Sequence, residues 1–130
     1  MRPLFISIII TILLFVNCNA QTSQKIKTIS GIEFQKKVND NEKVQLIDVR
    51  SPEEFNGEHL NNAVNINWSN PDFESKIKLL NKNKPIFVYC KAGGRSIKAA
   101  TKLAELGFIE IYNLGGGIQS WNLENLPIKK

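Results

Sequence analysis

Cys90-Lys91-Ala92-Gly93-Gly94-Arg95-Ser96 stands between two segments of different periodicity. Residues 85–89, Pro-Ile-Phe-Val-Tyr, are apolar, β-branched and aromatic, and they predict a buried strand. Residues 97–106 repeat their apolar side chains at helical spacing and are followed by Gly107, a residue typical of a helix end. Cys90 is therefore predicted to lie where a strand ends, and a loop of small residues leads from it into the N-terminus of a helix.

A loop of this kind favours an anion. Backbone N–H groups in a small-residue turn point inward, and the dipole of the following helix adds positive potential. The thiolate of Cys90 is such an anion, so the thiol is expected to ionise below the reference pKa of about 8.5. Arg95 and Lys91 add to the effect. The alternative interpretation is a buried strand-end cysteine beside glycines that only turn the chain.

The first twenty residues have the order of a bacterial-type export signal. Met1-Arg2-Pro3 carries a positive charge, residues 4–16 are almost wholly apolar, and residues 17–20 are small and polar. The apolar run is shorter than the roughly 20 residues that a spanning helix needs. A short membrane anchor remains the alternative. We expect an exported protein, periplasmic or extracellular.

Two processing routes compete at the end of this segment. Cys18 at −3 and Ala20 at −1 are small enough for ordinary cleavage before Gln21. Cys18 also follows an apolar run and is a candidate for lipidation, but Phe15-Val16-Asn17 is a poor version of the usual lipobox. We predict a signal peptide or lipoprotein signal over residues 1–20, a tether over 21–27 and one domain over 28–130. A membrane is an expected partner only if Cys18 is lipidated.

The charge and the cysteine content of the chain limit the classes of function that fit it. The net charge of +5 is modest and the lysines are scattered, which argues against nucleic-acid binding and favours small anions. The chain has two cysteines, Cys18 and Cys90. Cleavage removes the first and lipidation blocks it as a thioether, so neither route leaves a partner for an internal disulfide. Cys90 is thus predicted to be a reactive thiol, and any thiol that attacks a sulfur bound to it must come from another molecule.

Strand and helix patterns alternate along the chain, which predicts an α/β domain with a largely parallel sheet. Ser30, with Glu33 at the capping-box spacing, predicts a helix start, and Ser51 before Pro52 predicts another. The predicted strands are 27–29, 44–49, 63–66, 86–89 and 109–112, and the predicted helical segments are 31–38, one from residue 52, one from 70–73, 97–106 and 118–121. Ligands of open parallel sheets bind beyond the carboxyl ends of the strands, where residue 90 and residues 48–50 are predicted to lie.

The chain resembles a single-domain rhodanese, a thiosulfate sulfurtransferase-like protein. Three blocks carry the resemblance: residues 46–55 (LIDVRSPEEF) with Glu58-His59-Leu60, residues 88–96, and residues 114–121. In order and spacing they extend over residues 28–127. The resemblance implies a rhodanese-like three-layer fold with a central, mainly parallel sheet flanked by helices. The family has Pro-Gly where this chain has Asn61-Asn62, and Asn62 is expected to replace the turn glycine because asparagine tolerates the left-handed conformation.

The resemblance also implies a reaction. The loop cysteine, here Cys90, accepts a sulfane sulfur from a small anionic donor such as thiosulfate and becomes a persulfide. It then passes the sulfur to a thiophilic acceptor, which is an external thiol, a thioredoxin-like protein or cyanide. Two displacement steps of this kind predict ping-pong kinetics. The N–H groups of the loop would cradle the outer sulfur, and the residues involved are Lys91, Ala92, Gly93, Gly94, Arg95 and Ser96. We expect a monomer without cofactor.

Loop length separates sulfur transfer from phosphate chemistry. Four residues lie between Cys90 and Arg95. The tyrosine-phosphatase signature has five, and relatives of rhodanese that act on phosphate or arsenate likewise carry the longer loop. The shorter ring fits one sulfur atom better than a phosphoryl group, so a phosphatase or arsenate reductase is the less favoured hypothesis. A persulfide carrier or binding module with little turnover is the other alternative.

The remaining candidate residues have two interpretations each. Arg95 either orients an anionic donor or pairs with Asp48 and braces the loop. Lys91 either attracts thiosulfate or is a solvated loop lysine. Asp48 and Arg50 match a family pair near the mouth of the site, and we expect them to support the loop rather than to take part in chemistry.

The other residues of the matched blocks are expected to be structural. His59 is the only histidine, so no histidine-based metal cluster can form, no metal site is predicted, and a structural hydrogen bond is favoured over catalysis. The glycines at 115–117 are expected to permit close packing beside the site. Trp68 and Trp121 are expected to be core or rim aromatics rather than binding platforms.

Overall fold

The computed structural model describes residues 25–130 of the chain. The predicted export segment, both processing routes and most of the predicted tether lie outside these residues. The strands are β1 (Ile26–Ile29), β2 (Gln45–Asp48), β3 (Val64–Asn65), β4 (Ile86–Tyr89) and β5 (Ile111–Leu114). The helices are α1 (Gly31–Asn39), α2 (Pro52–Gly57), α3 (Phe73–Ile77), α4 (Gly94–Glu105) and α5 (Gly117–Leu123).

The five strands form one sheet in the order β1-β5-β4-β2-β3. Every pairing in it is parallel, which confirms the predicted α/β class. Strand β4 lies in the middle, with Ile86 opposite Gln45 of β2 on one side and opposite Ile111 of β5 on the other. All four residues of β4 are buried, as expected for a strand covered on both faces. Cys90, the residue that follows β4, therefore lies at the centre of the sheet's carboxyl edge.

Helices cover both faces of the sheet, and each face has its own apolar core. On one face, Phe73 and Ile77 of α3 pack with Leu103 of α4 and with the side chain of Cys90. On the other face, Phe34 of α1 packs edge to face against Phe87 and Trp121, with ring centroids 5.3 and 6.3 Å apart. The predicted three-layer arrangement is confirmed.

Local capping explains where two of these helices begin. The Ser30 hydroxyl accepts a hydrogen bond from the Glu33 N–H at 3.2 Å and starts α1. Ser51 caps α2, with Pro52 at its first position as predicted. Glu54 completes a capping box there, because its side chain reaches back to the Ser51 backbone. Both helix starts follow the predictions from the sequence.

Several element boundaries differ from the predictions, three of them at elements that lead to or flank the site. Helix α4 begins at Gly94 rather than at residue 97, because Gly93 has a φ of +111° and its carbonyl accepts the first helical hydrogen bond from Ile97. Strand β5 runs over 111–114 rather than 109–112, since pairing on both sides shifts it towards the buried residues and leaves Ile109 54% exposed. Strand β1 begins at Ile26, inside the predicted tether.

Within residues 25–130, no helix has the length and apolar character that crossing a membrane requires.

Candidate active site

Cys90 follows β4 directly, and its residue surface is only 1% exposed. Its carbonyl accepts a hydrogen bond from the Ile118 N–H at 2.9 Å, and the Lys91 carbonyl accepts one from the Gln119 N–H at 3.0 Å. The first turn of α5 therefore holds the backbone of the cysteine and of the next residue. Because α5 binds these two carbonyls, the loop turns its N–H groups, including that of Gly93, towards the sulfur.

Gly117 is what allows α5 to approach so closely. A Cβ atom at this position would lie 2.4 Å from the Lys91 carbonyl oxygen and 2.6 Å from the Cys90 carbonyl oxygen. Its φ of +62° is also one that side-chain-bearing residues avoid. The close packing predicted for the glycines at 115–117 is thus confirmed, and Gly117 has both the tightest contact with the loop and a positive φ.

Two polar groups contact the sulfur of Cys90: one N–H that donates to it and one hydroxyl oxygen that accepts from the thiol. The Gly93 N–H donates to Sγ at 3.0 Å, and Sγ lies 3.3 Å from the Ser96 hydroxyl, which in turn donates to the Gly93 carbonyl at 3.2 Å. Burial opposes ionisation of the thiol. Hydrogen bonds from Ser96 and from the backbone N–H groups of Ser96, Gly93 and Ala92 outweigh it and lower the pKa of Cys90. The predicted direction of the pKa shift is confirmed.

Arg95 does not pair with Asp48, and that alternative is wrong. Its Nη1 and Nη2 atoms donate to the two carboxylate oxygens of Glu54, at 2.7 and 3.0 Å. The pair joins the first turn of α4 to the first turn of α2. The hydrogen bond from Arg95 is the main cause that lowers the pKa of Glu54 to about 2, against the opposing effect of burial. Glu54 was missed as a site residue, although its position three residues after Ser51, the capping-box spacing, indicates a side chain directed back towards the start of α2.

Asp48 is instead engaged by Arg50, two residues along the chain. The Arg50 Nε and Nη2 atoms donate to the carboxylate at 3.0 and 2.7 Å, and Nη2 also donates to the Glu58 carbonyl at 2.7 Å. Asp48 is fully buried and Arg50 is 4% exposed. The pair fastens the end of β2 to the segment after α2. Its geometry agrees with the supporting role expected for both residues.

Two further residues that the sequence did not single out complete this support. Asn65 donates through Nδ2 to the Asp48 and Arg50 carbonyls, at 3.0 and 2.9 Å. The hydroxyl of Tyr89 accepts a hydrogen bond from the Leu60 N–H at 3.1 Å. Burial, followed by the charge of Asp48, raises the pKa of Tyr89, so this phenol stays protonated. Both residues act on the strand ends rather than on the sulfur.

The rim of the site is formed by the rest of the loop. Lys91, Ala92 and Gly94 are exposed, whereas Arg95 is half-buried and Ser96 is buried. Lys91 has no ion-pair partner among the described residues. The predicted loop therefore divides into an exposed rim, formed by Lys91, Ala92 and Gly94, and an inner wall around Sγ, formed by Gly93 and Ser96.

The expected structural residues lie as predicted. His59 Nδ1 is 3.0 Å from the Phe55 carbonyl, and its ring stacks on that of Phe55. Trp121 is buried in the core, and Trp68 packs edge to face against Phe73 at the core margin. Asn62 has a φ of +67°, the left-handed conformation expected for it.

Within the part of the chain that the structure describes, no cluster of histidine, cysteine and acidic residues could hold a metal ion. The arrangement at Cys90 is that of a nucleophile. It combines a thiol of lowered pKa, a backbone N–H that donates to the sulfur, a hydroxyl in hydrogen-bond contact with it and the exposed Lys91, which together favour a sulfur anion at this position.

Comparison with known proteins places the chain in a family. The family model for the rhodanese-like domain matches residues 32–124. An uncharacterized protein of Bacillus subtilis, YqhL, is 40% identical over 95 residues, covering 73% of this chain and 71% of that protein. Thiosulfate sulfurtransferase 16, chloroplastic, of Arabidopsis thaliana is 37% identical over 93 residues, covering 64% and 78%. The crystal structure of a rhodanese-related protein from Thermoplasma volcanium aligns with a TM-score of 0.70 at 31% identity, covering 79% of this chain and 97% of that one.

Proposed function

Because the chain belongs to the rhodanese-like family, we propose that it is a sulfurtransferase that carries a sulfane sulfur on Cys90 from thiosulfate or a persulfide donor to a thiophilic acceptor. One observation carries the proposal. The Gly93 N–H and the Ser96 hydroxyl lie 3.0 and 3.3 Å from Cys90 Sγ and stabilise negative charge on sulfur. The thiosulfate sulfurtransferase among its relatives supports the same reaction class.

In the first step, the Cys90 thiolate attacks the outer sulfur of thiosulfate. A new S–S bond forms between the two sulfur atoms, and the bond between the outer sulfur and the sulfonate sulfur breaks. Sulfite leaves with the bonding electron pair, and the enzyme holds a persulfide anion. The lowered pKa of Cys90 supplies the thiolate without a histidine base.

In the second step, the acceptor attacks the outer sulfur of the persulfide. With cyanide, a carbon–sulfur bond forms, the S–S bond breaks, and thiocyanate departs while the electron pair returns to Cys90 as a thiolate. The donors that stabilised the first thiolate also stabilise this leaving group. A thiol acceptor follows the same course and takes the sulfur as its own persulfide.

The size of the loop favours sulfur over phosphate as the transferred group. Four residues separate Cys90 from Arg95. The arginine is held by Glu54, and both of its terminal nitrogens are engaged there. A phosphoryl group needs several donors around three equatorial oxygens, whereas a single outer sulfur needs only the inner wall formed by Gly93 and Ser96.

Thiocyanate formation from thiosulfate and cyanide tests this function. The intact protein should turn over with parallel lines in double-reciprocal plots, and Cys90→Ser should be inactive. Absence of thiocyanate with the intact protein would show that it is not a thiosulfate:cyanide sulfurtransferase. Mass analysis after exposure to a persulfide would then identify a carrier, by one added sulfur on Cys90, and Cys90-dependent hydrolysis of an aryl phosphate would identify a phosphatase.

We also propose that the protein acts after export, on the strength of the charged, apolar and small-residue order of residues 1–20. The mass of the mature N-terminus distinguishes the routes. Cleavage before Gln21 gives an unmodified glutamine or its cyclised form, whereas lipidation leaves Cys18 with acyl chains. An uncleaved Met1 on the protein from the native cell would rule out both.

A further inference from the structure

Arg95 is the arginine nearest to the nucleophile in the chain, yet it is not free to bind a donor. Both terminal nitrogens donate to Glu54, at 2.7 and 3.0 Å, in the parallel two-bond geometry that is strongest for this pair. The side chains are 33% and 31% exposed, so the pair lies at the surface of the site rather than inside it. The carboxylate cancels the positive charge that Arg95 would otherwise present to an arriving anion.

Glu54 is itself held in place by its helix. Its backbone N–H donates to the Ser51 hydroxyl at 3.2 Å, and its Oε1 atom lies 3.2 Å from the same hydroxyl. The carboxylate therefore approaches Arg95 from a capped helix start and not from a mobile chain end. The hydrogen bond from Arg95 also lowers the pKa of Glu54 to about 2, so the carboxylate is ionised at neutral pH.

The remaining positive potential is small. It comes from the loop N–H groups, the start of α4 and the exposed Lys91, which has no ion pair among the described residues. The potential suits one negative charge on sulfur better than the two charges of thiosulfate. A second negative charge on the donor would not be offset by Arg95, because Glu54 already engages both of its terminal nitrogens.

We propose that Glu54 determines donor specificity: by neutralising Arg95, it favours sulfur donors with a single negative charge over those with two. The inference rests on the proposed sulfurtransferase function and specifies its substrate class. Glu54 does not touch the donor and acts through Arg95, so it is a positioning residue. The natural donor is accordingly a persulfide or another monoanion with a sulfane sulfur.

Two donors that differ by one charge test the proposal. Thiosulfate is a dianion, and methanethiosulfonate, in which a methyl group replaces one oxygen, is a monoanion with the same outer sulfur. The quantity to measure is the ratio of their kcat/KM values with cyanide as acceptor. In Glu54→Gln the freed Arg95 should raise the thiosulfate-to-methanethiosulfonate ratio about fivefold, and added salt should reduce the gain. Glutamine still completes a capping box, so α2 is retained.

Two control variants separate charge from structure. Glu53→Gln removes the same charge from an exposed neighbour without an ion pair among the described residues, and Ser30→Ala removes the cap of α1, a helix outside the site. Both should keep the wild-type ratio. The double variant Glu54→Gln/Arg95→Gln should return to the wild-type ratio, because no unpaired arginine remains. An unchanged ratio in Glu54→Gln, or an equal rise in Glu53→Gln, overturns the proposal.

A binding measurement keeps this test separate from the test of the function. Sulfate and methanesulfonate are unreactive counterparts of the two donors, and each should protect Cys90 from alkylation by iodoacetamide. In Glu54→Gln, sulfate should protect at about fivefold lower concentration relative to methanesulfonate. If no donor is turned over but this change is seen, the sulfurtransferase function fails and the role of Glu54 in charge selection stands. If the donors are turned over and protection does not change, the role of Glu54 fails alone.

Discussion

The thiol of Cys90 is subject to two opposing influences. Its side chain is almost fully buried, which alone would keep a thiol protonated. Against this stand the Gly93 N–H and the Ser96 hydroxyl, whose hydrogen bonds favour the thiolate. In the thiol form, Sγ donates to the Ser96 oxygen and Ser96 donates to the Gly93 carbonyl. Rotation of one hydroxyl hydrogen is sufficient for Ser96 to become a donor to the thiolate.

Ser96→Ala should therefore make Cys90 less reactive at neutral pH. A hydrogen bond to a charged acceptor contributes about 1.5 kcal/mol, so the alkylation rate by iodoacetamide should fall about tenfold. Because a lost donor raises the pKa of the thiol, the profile of rate against pH should move to higher pH. Ser75→Ala, at an exposed position in α3, should leave the profile unchanged. A profile in Ser96→Ala that coincides with wild type would contradict the role assigned to the hydroxyl.

Gly117→Ala should damage the loop from the opposite side. The new methyl group would lie 2.4 Å from the Lys91 carbonyl oxygen, and the residue would have to keep a φ of +62°. We expect a loss of at least about 2 kcal/mol in the free energy of unfolding, measured by urea titration. The matched variant is Gly57→Ala, where a methyl group meets nothing within 4 Å. Equal stability of the two variants would argue against a tight contact at Gly117.

At the scale of elements, the site is assembled where four elements meet. Strand β4 delivers the cysteine, α4 supplies Ser96 and Arg95, α5 holds the loop carbonyls, and α2 presents Glu54. Each contact is made by the first turn of a helix, because these starts cluster at the carboxyl edge of a parallel sheet. A change in one helix start is therefore transmitted to the sulfur through hydrogen bonds.

The Asp48–Arg50 pair fixes the neighbouring strand end and should be costly to break. Asp48→Asn leaves a buried guanidinium without its counter-charge, for which a loss of about 3 to 5 kcal/mol is expected. Glu74→Gln, which loses solvent-screened pairs with Lys78 and Lys102 at 3.4 Å, should cost far less. Chemical denaturation of both variants measures the difference. Similar losses would mean that the buried pair contributes no more than the surface pairs.

The Glu54–Arg95 pair links α2 to α4 and should make stability depend on acid. Glu54 has its pKa lowered from 4.5 to about 2, so its contribution is complete above pH 4.5 and is lost as the pH falls towards 2. At neutral pH, Glu54→Gln should be less stable than wild type by about 1 kcal/mol, a value reduced for partial exposure. The difference should shrink between pH 4.5 and 2. A difference that stays constant over this interval would exclude the pair as its source.

At the scale of the whole molecule, the parts that the sequence predicted well are those with local causes. The alternation of strands and helices, the Ser51 cap and the left-handed Asn62 each follow from a few adjacent residues. The partner of Arg95 does not, because Glu54 lies 41 residues away and Asp48 fits the same sequence argument. Asp48 forms its ion pair with Arg50, two residues along the chain. Only the packing of α2 beside α4 shows that the carboxylate of Glu54 is the one that pairs with Arg95.

The molecule as a whole also limits how the bound sulfur can leave. Cys90 is the only free cysteine in the described residues, and Cys18 is the only other in the sequence. In the full chain with Cys18→Ser, no second thiol can attack the persulfide within the same molecule. The sulfur should therefore stay on Cys90 until an external acceptor is added.

Intact mass measures this directly. After thiosulfate treatment and removal of excess donor, the Cys18→Ser chain should carry one added sulfur atom, and cyanide or an external thiol should remove it. Since Cys90 is 1% exposed and recessed behind the loop, two chains should not form a disulfide with each other. Accumulation of a disulfide-linked dimer, or loss of the sulfur without acceptor, would show that Cys90 is more accessible than its burial implies. If only small or extended acceptors remove the sulfur, its release depends on which acceptors can pass the rim formed by Lys91, Ala92 and Gly94.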